Sequence, residues 1–396
     1  MFDIPPISSL YVHVPFCARK CDYCAFYSGT PEGRLVNRYV DALILEMEMV
    51  AHDLQPRTIF FGGGTPSLLN LKQWERILDA MDRLGLTGAD EWTIECNPAT
   101  VSMDKAKLLR ERGVNRVSMG VQSLNEDMLV RLGRVHSREM VFKSYDILRN
   151  AGFENLNLDL MFAIPGQNME MWEETMGEVI ALQPEHLSCY EVIYEEDTAL
   201  YDQLQAGEID IDHELAAQMH GRLLERARSA GYLQYEVANF ARHISRTSSA
   251  RGIPDHACQH NLNYWRGGDY YGLGPAAAGN ERATRLKNWS NTEAYCDLVE
   301  KGKRPVESVD ELSCKARAGE TAGIGLRMNA GWLFDEFEGI SGHDLREDWG
   351  GIMDDLVQLG HGELNKNGFR LTQQGMLYAD WVAERFLVDN EAEVVL

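Results

Sequence analysis

The sequence predicts an α/β fold: a partial (β/α)6 TIM-like barrel followed by a mainly helical, winged-helix-like C-terminal domain. Three observations carry this reading. Six short apolar runs alternate with amphipathic stretches between Ser8 and about Tyr194, which implies a parallel sheet with right-handed crossovers. The residues least expected in a scaffold fall at or just beyond the carboxyl ends of those runs, where barrels and parallel sheets build their sites. From about Asp310 the pattern turns helical, broken by a strand-like Phe369-Arg370-Leu371. An open sheet is the alternative that periodicity alone leaves standing.

The first run, residues 10–14, is β-branched and closed by Pro15, as a short buried strand is. A loop then presents Cys17, Cys21 and Cys24. Three thiolates spaced C-x-x-x-C-x-x-C suit soft-metal ligation better than disulfide pairing. A structural zinc site wants four protein ligands, and only His13 is near. A four-iron cluster normally takes four thiolates, so three leave one iron open to something else.

The second run, 58–61, leads straight into Gly62-Gly63-Gly64-Thr65-Pro66. Glycines let the backbone approach a ligand closely, and their amides are expected to stay free for a carboxylate or phosphate. The third, 91–95, ends in Glu95-Cys96-Asn97-Pro98, and the fourth, 116–119, runs into Gly120-Val121-Gln122-Ser123. The fifth, 156–161, carries Asp159 and leads to Ile164-Pro165-Gly166-Gln167; the sixth is 186–190. Helical patterns over 35–54, 71–84, 104–112, 138–151 and 169–182 fill the gaps between runs. A further helix is expected at 213–230 and a strand at 232–237, after which 238–279 reads as ordered but irregular. Helices are expected again at 313–327, 333–337, 344–359 and 373–386. The expected division is a core of 1–240, an irregular linker of 241–305 and a C-terminal domain of 306–396.

At 396 residues the chain has room for a large domain and a smaller one. Its formal charge of −23 argues against a nucleic-acid partner, which needs a basic footprint, and against broad attraction to an anionic membrane. Winged helices often bind DNA, but from Lys301 onward 18 acids face 10 Lys or Arg, so that unit reads as structural. Arg242, His243, Arg246 and Arg251 form a local basic patch that reads as a solvated Ser-rich loop. No apolar run approaches ~18 residues, so no transmembrane helix is expected. The first six residues lack the features of a secretory signal. Eight cysteines, three of them clustered, point to a reducing cytoplasm, with peripheral contact at the membrane left open.

The cysteine spacing, with Tyr23 just before the last cysteine, resembles the radical S-adenosylmethionine (SAM) superfamily; GGGTP resembles its oxygen-independent coproporphyrinogen III oxidase-like family. The resemblance spans nearly the whole chain and loosens after about Asp310, where a HemN C-terminal-like domain is implied. It implies a 4Fe–4S cluster on Cys17, Cys21 and Cys24, SAM on the fourth iron, and an electron donor for the cluster. It implies further that Gly63 and Gly64 lie in the run that holds the SAM amino group and that Glu95 meets its ribose or adenosyl part. Gln122, Arg134 (toward a carboxylate), Asp159, Ile193 (through its backbone), Tyr11, Tyr23 and Thr65 align with other ligand-contacting positions. Taken alone, Arg134 would read as a surface salt bridge and Asp159 as a helix cap.

Two features separate the chain from the oxidases. They carry another cysteine two residues past the last ligand, where Phe26 stands here. And His260-Asn261-Leu262-Asn263-Tyr264-Trp265 resembles the H-N-x-x-Y-W motif of the haem-chaperone, HemW-type branch, whose members bind haem and pass it to respiratory enzymes. The implied function is a haem chaperone delivering haem to an acceptor protein; oxidative decarboxylation of coproporphyrinogen III is the alternative. A neutral imidazole can ligate haem iron and aromatic faces can pack on a macrocycle. His260 is therefore the candidate haem ligand and Cys258 a second ligand or thiol. The plainer reading makes Tyr264 and Trp265 core anchors and His260 a hydrogen-bonded structural histidine. Residues 244–255 read as an insertion ahead of the motif. No catalytic residue is assigned.

Overall fold

The computed structural model describes residues 5–243 and 252–388. Most of the candidate insertion, with Arg246 and Arg251 of the basic patch, lies outside the described residues.

Six strands form the expected parallel core: β1 (Ile7–Val14), β2 (Leu54–Gly63), β3 (Glu91–Cys96), β4 (Arg116–Gln122), β5 (Asn155–Phe162) and β6 (His186–Glu191). Their spatial order follows their chain order without reversal. A doubly wound open sheet would reverse at a switch point, so the winding is that of a barrel. The helices between them are α1 (Gly33–Val50), α2 (Leu71–Leu84), α3 (Met103–Glu111), α4 (Glu126–Arg131), α5 (Arg138–Asn150) and α6 (Met169–Ala181). The short α4 escaped sequence reading. Helix α2 shows why the boundaries were legible: Asn70 and Gln73 form a reciprocal capping box, and Gly85 closes the helix at φ 70°.

Alternation along the strands sets the two faces of the sheet. Leu10, Val12, Ile59, Phe61, Trp92, Ile94, Val117, Leu156, Leu158 and Leu187 join the helices in one apolar core. The intervening residues are mostly polar: Ser9, His13, Thr58, Thr93, Glu95, Ser118, Asn157, Asp159, His186 and Ser188. Period-2 geometry puts them on the opposite face, so this barrel has a polar lumen.

After α7 (Ala199–Gln205) and α8 (His213–Ser229), β7 (Tyr232–Gln234) and β8 (Asn239–Arg242) extend the sheet antiparallel beyond β6. The region expected to be irregular instead carries α9 (Gln259–Trp265) and β9 (Tyr271–Leu273), and β9 pairs parallel with β1. The following segment is equally regular, with β10 (Ala278–Glu281), β11 (Thr284–Asn288), α10 (Thr292–Val299) and β12 (Val306–Glu311) forming an antiparallel sheet and its flanking helix. Buried Glu46 of α1 accepts from Gly274 N (2.8 Å), Asn288 Nδ2 (2.8 Å) and Tyr295 Oη (2.6 Å), locking this segment to the core. Short strands and glycine-rich turns hid that order from periodicity.

The C-terminal part is helical as expected, with α11 (Cys314–Gly325), α12 (Phe334–Ser341) and α13 (Leu345–Gln358). It carries a small antiparallel sheet of β13 (Trp332–Leu333), β14 (Gly362–Leu364) and β15 (Gly368–Leu371). The expected last helix is two, α14 (Gln373–Met376) and α15 (Ala379–Phe386). Trp332, Phe337, Trp349 and Phe386 belong to its own apolar core.

Candidate functional site

At the carboxyl ends of β1–β6 lies a cleft of about 630 Å³. Its wall begins with the cysteine loop. Gly29 N donates to Pro15 O (2.9 Å) and Cys17 N to Gly29 O (3.0 Å), closing the loop on itself. Asp22 then pins it at both ends, its N donating to Leu132 O (3.1 Å) and its O accepting from Leu200 N (2.9 Å). Cys17, Cys21 and Cys24 all line the cleft as free, partly exposed thiols. Burial pushes the Cys24 thiol up, with the neighbouring cysteines adding to the shift. Among the described residues no three His, Cys, Asp or Glu side chains converge on a single ion. Thiols spread along one wall fit a polynuclear cluster, whose corners lie apart.

The glycine run docks directly on this loop. Gly64 N donates to Val14 O (2.9 Å) and Thr65 N to Phe16 O (2.8 Å). A Cβ on Gly64 would sit 2.5 Å from Val14 O, and one on Gly63, whose φ is +94°, would strike the His13 ring at 2.3 Å. Gly63 N donates to Glu95 Oε2 (3.2 Å). The amides expected to stay free are thus spent inside the protein. Close approach, not donation, is what glycine supplies here.

Across the cleft, Gln122 sits at φ +63° beside a register shift between Gly120 and Gln122. A non-glycine residue held there is strained, and such strain collects at functional sites. Arg134 is not a surface salt bridge: it is half-buried, with Nη2 donating to Gly120 O (2.6 Å) and Nη1 to Cys21 Sγ (3.4 Å). Nor is Asp159 a helix cap. It lies in β5, accepting from Asn157 Nδ2 (2.6 Å) and Ser118 Oγ (3.3 Å). Burial pushes Asp159 up to about 6. It pushes Glu95 up to about 8, with Asp159 the next cause.

The structure therefore brings Cys17, Cys21, Cys24, Tyr23, Gly63, Gly64, Thr65, Glu95, Gln122, Arg134, Asp159 and Ile193 around one cleft. Ile193 is 64 % exposed and Phe26 67 % exposed, both on its rim. Tyr11 is not brought in. Its hydroxyl pairs with His13 Nδ1 (3.1 Å) and its ring lies against Phe60.

His260 also departs from expectation. It is 1 % exposed and stacks on Phe60, with Nδ1 bonded to Thr58 Oγ1 (2.9 Å) and Nε2 to Tyr264 Oη (2.7 Å). Burial holds it neutral, pulled down to about 3, yet in this conformation neither nitrogen is open to iron. Cys258 is buried against Glu91 Oε1 (3.4 Å), its thiol pushed up to about 12 chiefly by burial. The motif's helix, α9, is seated by Glu91, which accepts from Gln259 N (3.0 Å) and His260 N (3.1 Å). Arg266, just past it, donates to Gly331 O (2.8 Å) and covers the Trp332 ring, tying α9 to the C-terminal part.

Sequence reading missed Arg116, Asn157 and Asn261, which also line the cleft. The signal was there for two of them. Arg116 opens a run that should be apolar, and Asn155, Asn157 and Asp159 alternate in Asn-Leu-Asn-Leu-Asp-Leu. Polar residues at every second place of a central strand mark a wetted face.

A glycine turn docked on a three-cysteine loop at the carboxyl rim of a singly wound six-stranded barrel defines a radical SAM fold. The radical SAM superfamily model matches residues 11–179, and that of the HemN C-terminal domain residues 312–378. The chain is similar over nearly its full length to proteins named heme chaperone HemW, and it belongs to that family. That of Bacillus subtilis (strain 168) is 34% identical over 387 residues, 96% of this chain and 99% of the relative. That of Lactococcus lactis is 33% identical, covering 97% and 98%. Among solved structures, coproporphyrinogen III oxidase (HemN) from Escherichia coli superposes with a TM-score of 0.82 at 21% identity, over 97% of this chain and 90% of that one. That likeness speaks for the fold alone.

Proposed function

We propose that the protein is a haem chaperone that binds haem and a SAM-coordinated 4Fe–4S cluster and passes haem to an acceptor haem protein. End-to-end similarity to the curated heme chaperones carries the reading. Phe26 supports it: an exposed aromatic stands on the cleft rim where an oxidase would have a cysteine, and it offers a face to a macrocycle.

Cys17, Cys21 and Cys24 would hold the cluster, and Gly63, Gly64, Thr65, Glu95, Gln122, Arg134, Asp159, Ile193 and Tyr23 would surround SAM. When bound and reduced, the cluster would supply one-electron reducing power toward the sulfonium of SAM. The residues themselves position and shield. Three consecutive amides are spent at Gly63, Gly64 and Thr65, so the turn suits an ammonium better than a carboxylate. Glu95, with its raised proton affinity, can donate to a ribose oxygen as well as accept from a hydroxyl. Arg134 supplies positive charge beside Cys21. Among the described residues no helix is long and apolar enough to cross a membrane, so any membrane-bound acceptor would be met from the surface.

The test is anaerobic reconstitution followed by haem titration, with a coproporphyrinogen conversion assay on the same preparation. A saturable Soret band without conversion is expected. Formation of protoporphyrinogen, or no saturable haem change, would defeat the reading.

A further inference from the structure

Arg116 poses a problem that the reading above does not solve. It opens β4 on the lumen face, is 2 % exposed, and lines the floor of the cleft. Among the described residues its hydrogen bonding is a single long contact, Nη1 to Thr93 Oγ1 at 3.4 Å, and Nε has no partner. Glu91 and Asp159 feel its charge, but Glu91 is occupied with the amides of α9 and Asp159 with Asn157 and Ser118. A buried guanidinium without a carboxylate partner is costly, and proteins retain one where something else completes it. A second polar group faces the same space. Asn261, the second residue of the HNLNYW motif, lines the cleft from α9, and its side-chain amide has no protein partner among the described residues.

We propose that Arg116 and Asn261 form a carboxylate subsite on the cleft floor, and that it takes a propionate arm of the haem. This rests on the haem-chaperone reading and deepens it. The planar guanidinium fork matches a carboxylate, and an amide N–H can complete the second oxygen. Haem's only anionic groups are its two propionates, so a floor that wants a carboxylate orients the ring. The walls above offer apolar faces at Phe26, Phe60, Met161, Tyr190 and Ile193. The raised proton affinities of Glu95 and Asp159 keep the floor less negative than its composition suggests. The motif then reaches the ligand through its asparagine, while its histidine holds the helix in place.

The competing source of a carboxylate is the amino-acid end of SAM. The experiment titrates full-length, cluster-reconstituted protein anaerobically with haem, with iron protoporphyrin IX dimethyl ester, and with SAM. It uses wild type, Asn261→Ala and Arg116→Lys. Wild type is expected to bind haem about tenfold or more tightly than the ester, the scale of a charge-assisted hydrogen bond. Both variants should lose haem affinity while ester affinity stays, closing that gap. Should the buried Arg116→Lys fail to fold, Asn261→Ala decides alone. Equal binding of haem and ester by wild type overturns the subsite, as does equal loss of both in the variants. Weakened SAM with unchanged haem assigns the floor to SAM and overturns it too. If wild type shows no saturable haem change, the chaperone reading itself has failed and the propionate assignment goes with it.

Discussion

Replacing Glu91 by alanine should loosen the one helix that carries the family motif. Its carboxylate, 6 % exposed in the barrel floor, accepts from Gln259 N (3.0 Å), His260 N (3.1 Å) and Cys258 Sγ (3.4 Å). Cys258 at the N-cap makes no side-chain cap of its own, so Glu91 does the capping from another strand. Each buried amide left without an acceptor costs about 1–3 kcal/mol, and losing a carboxylate from a helix N-terminus costs up to roughly 1–2 kcal/mol more. The total is about 4 kcal/mol, a drop in Tm of roughly 5–10 °C. Glu91→Gln keeps one acceptor oxygen and should cost about half as much. Thermal unfolding of the metal-free protein measures both, and hydrogen exchange should show the α9 amides opening before the barrel strands. A Glu91→Ala protein within about 1 kcal/mol of wild type, with α9 exchange unchanged, would refute the assignment of Glu91 as the anchor of this helix.

Glu95 predicts a pH dependence. Its proton affinity is raised from an ordinary 4.5 to about 8, so its contribution to stability is full below about 4.5 and is lost as pH rises through about 8. Glu95→Gln should therefore gain on metal-free wild type by a few kcal/mol between pH 5 and 9; parallel Tm-against-pH curves for the two would contradict this. Gly64→Ala places a Cβ 2.5 Å from Val14 O and 2.7 Å from Phe16 O, both backbone atoms that cannot swing away. It should cost at least ~2 kcal/mol and lower iron content after reconstitution; normal iron loading would show that the turn need not touch the cysteine loop. His260→Ala should destabilise α9 by about 2–3 kcal/mol through two lost buried hydrogen bonds. Residual haem complexes should keep the wild-type Soret position, and a shifted band at unchanged Tm would instead make His260 an iron ligand.

The six barrel strands were legible because their outward faces are continuous with helices of strong 3.6-residue period, and because proline, glycine and capping residues punctuate them. The rim was legible because cysteines, a glycine run, Glu95 and Gln122 follow or end strands, and Asp159 lies within one. What was not legible is the work of contacts between distant segments. Strand β9 is three residues long and exists as a strand through β1. Helix α9 is seven residues long, uncapped by its own N-cap, and seated by Glu91, some 170 residues earlier in the chain. Local periodicity has no access to a cap supplied from another strand.

The same argument explains why the motif misleads when read by residue type. A histidine followed by an asparagine, a tyrosine and a tryptophan invites the histidine as the metal ligand. Yet a helix that closes a barrel must bury the face it turns inward, and a buried imidazole needs both nitrogens satisfied. Thr58 on β2 and Tyr264 one turn along α9 satisfy them. The neighbouring position, rotated by about 100°, carries Asn261 to the open cleft, which it shares with a guanidinium that has no carboxylate of its own among the described residues. The helix thus uses its histidine to stay in place and leaves its asparagine for whatever enters. In that arrangement the polar lumen face, the uncompleted Arg116 and the odd placement of α9 have one physical cause: a barrel whose floor is built to receive part of its ligand.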